Sequence, residues 1–127
     1  MIDHVSVPVH DLDAAARFYE AVLGAIGVTK LDVRAATIGF GKKYSEFWIN
    51  LRPDMPPVAA GSGAHVCFRA RSSGEVDAFH AAALTAGGVS DGAPGLRHHD
   101  GAGGYYAAFI RDPDGNRIEA VTFVATI

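Results

Sequence analysis

Three side chains able to ligate a metal stand at separate points of the chain: His4 in "IDHVSVPV", His65 in "GAHVCF" and Glu119 in "NRIEAV". Glu119 needs the most explanation. The preceding "RDPDGN" reads as a tight turn, because Pro113 presets φ while Gly115 and Asn116 tolerate positive φ. A strand follows, and its neighbours Ile118, Ala120 and Val121 are apolar. A carboxylate carried into such surroundings costs several kcal/mol unless it shifts its pKa, finds a partner or binds a metal. Two imidazoles and one carboxylate on rigid strands would make a 2-His-1-carboxylate site for a divalent ion, with positions left open for water or substrate.

The elements that must position these groups repeat. Sliding the chain by 61 positions lays His4-Val5 on His65-Val66, Phe18 on Phe79, Ala21 on Ala82, Leu23 on Leu84 and Gly27-Val28 on Gly88-Val89. Each half has the same grammar. "IDHVSVPV" and "AHVCFRA" alternate and read as strands. "DLDAAARFYEAVLGAIG" and "GEVDAFHAAALTAGG" read as helices, the first with Asp11 or Asp13 as its N-cap. "VRAATIGFG" with "SEFWINLR", and "YYAAFIR" with "NRIEAVTFV", supply the remaining strands, while "VSDGAPGLRHHDGAGG" reads as an extra loop. The three prolines and two glycines of "PDMPPVAAGSG" mark a linker over about 53–63. The expected fold is therefore α+β: one domain over 1–127, made of two tandem βαβββ modules (about 1–57 and 62–127) that form a curved mixed sheet or half-barrel around a metal-binding cleft.

Strand alternation assigns the faces. Val5, Val7 and Val9 should pack on the first helix, leaving His4, Ser6 and Pro8 on the cleft side. Val66, Phe68 and Ala70 should pack on the second, leaving His65, Cys67 and Arg69. "INL" at 49–51 resembles "IEA" at 118–120, which makes Asn50 the expected counterpart of Glu119. Pseudo-two-fold symmetry would then bring His4, Asn50, His65 and Glu119 to one place.

Other residues are placed on the same cleft. Trp48 could stack on a flat substrate or cover a small core. Arg52 could hold a carboxylate or phosphate, or be a solvated charge before Pro53. Across the last hairpin, Phe109 and Ala107 share the face of Glu119, and so does Tyr105; Tyr106 then faces the core, and a one-residue bulge would invert the choice. His98 and His99, in a Gly-rich segment, are candidates for proton transfer alongside Tyr105, or else exposed surface histidines. Cys67 should lie near His65 on the cleft, or act as a small hydrophobe.

The bulk numbers exclude other classes. A net charge of −3 without basic runs offers nothing to nucleic acid. No apolar run approaches the roughly 20 residues needed to span a bilayer, and "MIDHVSVPV" has no signal-peptide pattern. The single cysteine, Cys67, rules out an internal disulfide and any CxxC motif. A cytoplasmic location is expected by default.

Together, "IDHVSVPVHDLDAAARFYEAVLG", "GAHVCF" and "DPDGNRIE" resemble the signatures of the glyoxalase/bleomycin-resistance/extradiol-dioxygenase superfamily, the vicinal oxygen chelate proteins. The resemblance implies paired βαβββ modules and, in metal-binding members, a divalent ion (Fe, Mn, Ni or Zn) at His4, His65 and Glu119. It implies a homodimer, with modules paired within or across chains. The family's fourth ligand position, a carboxylate in typical bacterial glyoxalase I, falls on Asn50, a weak ligand and no base. A three-ligand site looks more like extradiol dioxygenases, which carry a Tyr or His acid/base group near the metal, yet Phe109 stands at the position expected for such a Tyr. The expectation is a metal-dependent enzyme acting on a small molecule with vicinal oxygens, either a lyase/isomerase or a ring-cleaving dioxygenase. The alternative is a metal-free, bleomycin-resistance-like binder.

Overall fold

The computed structural model describes residues 1–98 and 103–124. The element order is β1 (Val5–Val9), α1 (Leu12–Gly24), β2 (Thr29–Val33), β3 (Thr37–Gly41), β4 (Phe47–Leu51), β5 (His65–Arg69), α2 (Ser73–Thr85), β6 (Val89–Leu96), β7 (Tyr105–Arg111) and β8 (Arg117–Phe123). Two mixed sheets result, ordered β1-β4-β3-β2 and β5-β8-β7-β6. The same order in both halves is the expected pair of βαβββ modules. In each, the first strand runs parallel to the last and the other neighbours are antiparallel. Among the described residues no helix is long and apolar enough to cross a membrane.

The helices begin where side-chain oxygens take up orphan amides. Asp11 accepts from Ala14 N at 3.0 Å, and Ser72 accepts from Glu75 N at 3.2 Å. Along α1, Ala15, Phe18, Tyr19, Val22 and Leu23 recur at helical spacing and are buried. They join the inward residues of both modules in a single core, with Val7, Val9, Phe47, Ile49, Phe79, Ile110 and Ile118 among its members. Phe47 of β4 meets Phe68 of β5 edge-on, ring centres 5.2 Å apart. The modules thus join through their helix-covered sides. Among the described residues no strand pairing links the two sheets, so β1 and β5 are each the edge of their own sheet.

The "RDPDGN" segment is the turn expected. Gly115 takes φ +93°, and Asp112 N donates to Asn116 O at 2.9 Å. It also clasps the two modules. Tyr19 of α1 donates its hydroxyl to Asp112 Oδ2 at 2.5 Å, and Asn116 Nδ2 donates to the Pro8 carbonyl at 2.8 Å. His10 Nδ1 meets Asp114 Oδ1 at 2.6 Å, while its Nε2 meets the Met55 carbonyl. Burial pushes the Asp112 carboxyl up from its ordinary range, against the pull of its bonds to Tyr19 and Asn116.

One expected loop is a strand. Val89–Leu96 pairs with β7, but with register shifts between Ser90 and Gly92 and between Gly92 and Gly95. Its glycines and proline made it read as loop. It is an edge strand, where Pro94 sits inside the irregular stretch and forfeits no ladder bond to a second neighbour. The remaining loop starts only at Arg97.

Candidate functional site

The face of the second sheet turned away from the helices carries a polar cluster. Register puts Cys67 of β5, Glu119 of β8 and Phe109 of β7 in one row across the strands. Ile118 and Ala120, on the opposite face, join the core. Glu119 is only 2% exposed although it lies on the uncovered face. His65 Nε2 lies 3.0 Å from Glu119 Oε1. The Tyr105 hydroxyl donates to Glu119 Oε2. The face chosen for Tyr105 is the one found, while Tyr106 turns the other way and donates to Asp77 of α2 at 2.6 Å.

This cluster sets the protonation states around the carboxylate. Desolvation, then the hydrogen bond to Glu119, raises the Tyr105 phenol, so it stays protonated and donates. The Cys67 thiol is pushed up to about 12, first by desolvation and then by the Glu119 charge. Cys67 is therefore a neutral thiol beside the carboxylate, not a thiolate nucleophile.

Each remaining expected residue has a definite place. His4 is exposed, and its Nδ1 meets Asp3 Oδ2 at 2.7 Å. His4 and His65 both line one cavity of about 540 Å³, which runs along the free edge of β5. Among the described residues no three His, Cys, Asp or Glu side chains converge as metal ligands. Within one chain, then, His65 and Glu119 are together and His4 is apart from them. Trp48 and Asn50 lie half-buried on the uncovered face of the first sheet, with Arg34 stacked over the Trp48 ring at 4.9 Å and Thr37 donating to Asn50 Oδ1 at 2.6 Å. Arg52 is exposed and donates to the carbonyl of its own neighbour Leu51, as a solvated charge does. His98 is exposed, and His99 lies outside the described residues.

The strand register corrects one equivalence. Ser6, the repeat counterpart of Cys67, pairs with Trp48, whereas Cys67 pairs with Glu119. Asn50 pairs with Pro8, one step further along the same face. Trp48, not Asn50, is therefore the topological counterpart of Glu119. The likeness of "INL" to "IEA" matched residue types, but which residues stand opposite is decided by strand pairing. The first module thus presents an indole where the second presents a carboxylate.

Sequence reasoning passed over Arg97. Its guanidinium lies over the Phe109 ring, 5.4 Å from the centroid, next to Glu119 in the row. It stands one residue before His98, and its signal was the pair Gly92 and Gly95, which leaves room for a large side chain to fold back.

Comparison with known proteins agrees with this architecture. The chain is 32% identical over 125 residues to virulence protein STM3117 of Salmonella typhimurium, covering 97% of this chain and 84% of that protein. The crystal structure of a glyoxalase/bleomycin resistance protein from Albidiferax ferrireducens superposes with a TM-score of 0.81 at 37% identity, over 94% of this chain and 96% of that one. A glyoxalase/bleomycin resistance protein/dioxygenase family enzyme from Burkholderia phytofirmans shares the fold, with a TM-score of 0.74 at 18% identity over 97% and 98% of the two chains. The family model described as the glyoxalase/bleomycin resistance protein/dioxygenase superfamily matches residues 1–120, and the chain belongs to that superfamily.

Proposed function

We propose that the protein is a metal-dependent enzyme of this superfamily, acting on a small molecule with two adjacent oxygens, and that its site is completed by a second copy of the chain. One observation carries the reading: a carboxylate, Glu119, almost wholly buried on an uncovered sheet face and held by an imidazole and a phenol. A buried carboxylate beside a His nitrogen supplies two of the three ligands of a 2-His-1-carboxylate set. Those two groups fit a divalent ion; the third ligand, His4, has to come from elsewhere than its place in the same chain.

A second copy provides it. β1 and β5 are both free edges, and the internal repeat puts His4 just ahead of β1 and His65 first in β5. Free edges pair readily with other chains. In a two-fold dimer, β1 of one copy beside β5 of the other sets His4 next to the His65–Glu119 pair. A bound divalent ion supplies Lewis acidity to polarise adjacent substrate oxygens. The chain's own residues then have separate tasks. His65 and Glu119 hold the ion, Tyr105 orients the Glu119 carboxylate, and Trp48 with Asn50 lines the facing wall. Lyase, isomerase and oxygenase chemistry all use such a site.

Complementation between variants tests this reading. His4→Ala and Glu119→Ala homodimers should each lose tightly bound metal. Mixed and refolded together, they should regain it, because one site of each heterodimer then has all of its ligands. No recovery on mixing would rule out the shared site. Metal absent from every wild-type preparation, together with tight uptake of a flat ligand, would favour the metal-free binding reading.

A further inference from the structure

Arg97 is held in a fixed place on the uncovered face of the second sheet. Its guanidinium folds back over the irregular stretch of β6, where Nη1 donates to the Gly95 carbonyl at 3.0 Å and Nη2 to the Ala93 carbonyl at 2.6 Å. The glycines below make that seat possible. A Cβ at Gly92 would stand 3.2 Å from Arg97 Nη2 and 3.0 Å from Phe109 Cδ1, and one at Gly95 would stand 3.3 Å from Nη1. The Phe109 ring holds the remaining face of the guanidinium. Two of its five N–H donors are spent on carbonyls, and the rest have no carboxylate among the described residues. Four other basic side chains are in ion pairs, Arg71 with Glu75, Lys30 with Glu20, and Arg111 and Arg117 with Asp91, while Arg34 and Arg69 stack on Trp48 and Phe123. Arg97 is a positioned cation with unused donors.

Its place relative to Glu119 gives the length of the ligand. Gly92, Phe109 and Glu119 stand on three successive strands of one row. Two strand spacings separate the guanidinium seat from the carboxylate, about 10 Å. Phe109, on the middle strand, stands between them with the guanidinium stacked on its ring. A flat molecule one ring long spans that gap, with its oxygens toward His65 and Glu119 and an anionic group at the other end.

We propose that the substrate carries an oxyanion, a carboxylate or a phosphate, on a flat apolar body, and that Arg97, held in place by Phe109, binds this group. The inference deepens the proposed function. It rests on the reading of this face as the substrate cleft and not on the metal. The experiment is a titration of the full-length protein with benzoate, phenyl phosphate and the neutral benzamide, followed by the NMR shifts of arginine Nε–H groups and by calorimetry. Benzoate or phenyl phosphate should move the Arg97 signal, and whichever binds more tightly names the anion. Benzamide should bind at least about tenfold more weakly than that anion, and Arg97→Ala should weaken the anion by a similar factor. Arg97→Lys should recover only part of the loss, because a point charge lacks the guanidinium fork. Arg17→Ala, on the exposed side of α1, should change nothing. Should the alanine variant not fold, Arg97→Gln keeps the chain length without the charge and carries the test. Benzamide binding as tightly as the anions, no anion binding at all, or full affinity in a folded Arg97 variant would overturn the inference. Loss of the metal reading with Arg97-dependent binding intact would leave it standing.

Discussion

Replacing Tyr105 by Phe removes one oxygen and tests how Glu119 is held. The hydroxyl donates to Glu119 Oε2, and Glu119 is 2% exposed, so water has little access to replace the lost donor. A hydrogen bond to a charged group contributes about 1.5–3 kcal/mol. Tyr105 is itself only half-buried, which lets some solvent reach the vacated place and puts the expected loss at the lower end, about 1.5 kcal/mol. Urea unfolding read by circular dichroism should show a lower midpoint with an unchanged slope. The same substitution frees a carboxylate oxygen that the phenol had oriented. Loss of such an outer partner commonly costs about 10- to 100-fold in metal affinity. Tyr106→Phe is the control, since its hydroxyl bonds Asp77 at an exposed site, and it should cost no more than about 0.5 kcal/mol. A Tyr105→Phe protein as stable as wild type, with unaltered metal affinity, would refute the claim that this hydroxyl positions Glu119.

Other expectations follow from the same contacts. His65→Ala should abolish stoichiometric metal binding while leaving far-ultraviolet circular dichroism unchanged, because His65 is on an exposed edge strand. His10 donates to two pure acceptors, the Asp114 carboxylate and the Met55 carbonyl, an arrangement complete only in the imidazolium. Its pKa is raised above 6.5, chiefly by Asp114, so its contribution is full below 6.5 and is lost as pH rises through the folded value. Urea midpoints should therefore fall on going from acid to mildly alkaline pH, and His10→Gln should flatten that slope. Gly39→Ala would place a Cβ 2.3 Å from Ser45 Oγ and 2.9 Å from Trp48 Cζ3. Overpacking of this kind costs about 1–3 kcal/mol, measurable as a lowered unfolding midpoint.

The local signals in the sequence were strong wherever one residue type has one physical use. The turn at 112–116, the alternating first strand of each module, and the N-cap at Asp11 all follow from backbone chemistry within a few residues, whereas the cap at Ser72 came from the structure. The faces of β7 and β8 were legible too, since no bulge breaks their pairing and alternation carries Tyr105 and Glu119 to one side. β6 was not legible, because an edge strand tolerates the glycines and proline that elsewhere signal a loop. The pairing of Glu119 with Asn50 failed for a related reason. Likeness of residue type cannot count a register that hydrogen bonds between distant strands decide.

What the chain alone determined is the duplicated βαβββ plan, the helix-facing side of the first strand of each module and of the last hairpin, and the residue types able to hold a metal. These depend on periodicity and on neighbours close in sequence. Only the tertiary structure decided which groups meet. It joined Tyr105 and His65 to Glu119, seated Arg97 over Phe109, and left β1 and β5 as separate free edges, with His4 apart from the other two. The physical reason is that the two modules bury their helix-covered sides in one shared core, and the way those sides fit depends on packing between residues far apart in the chain, which no local pattern encodes.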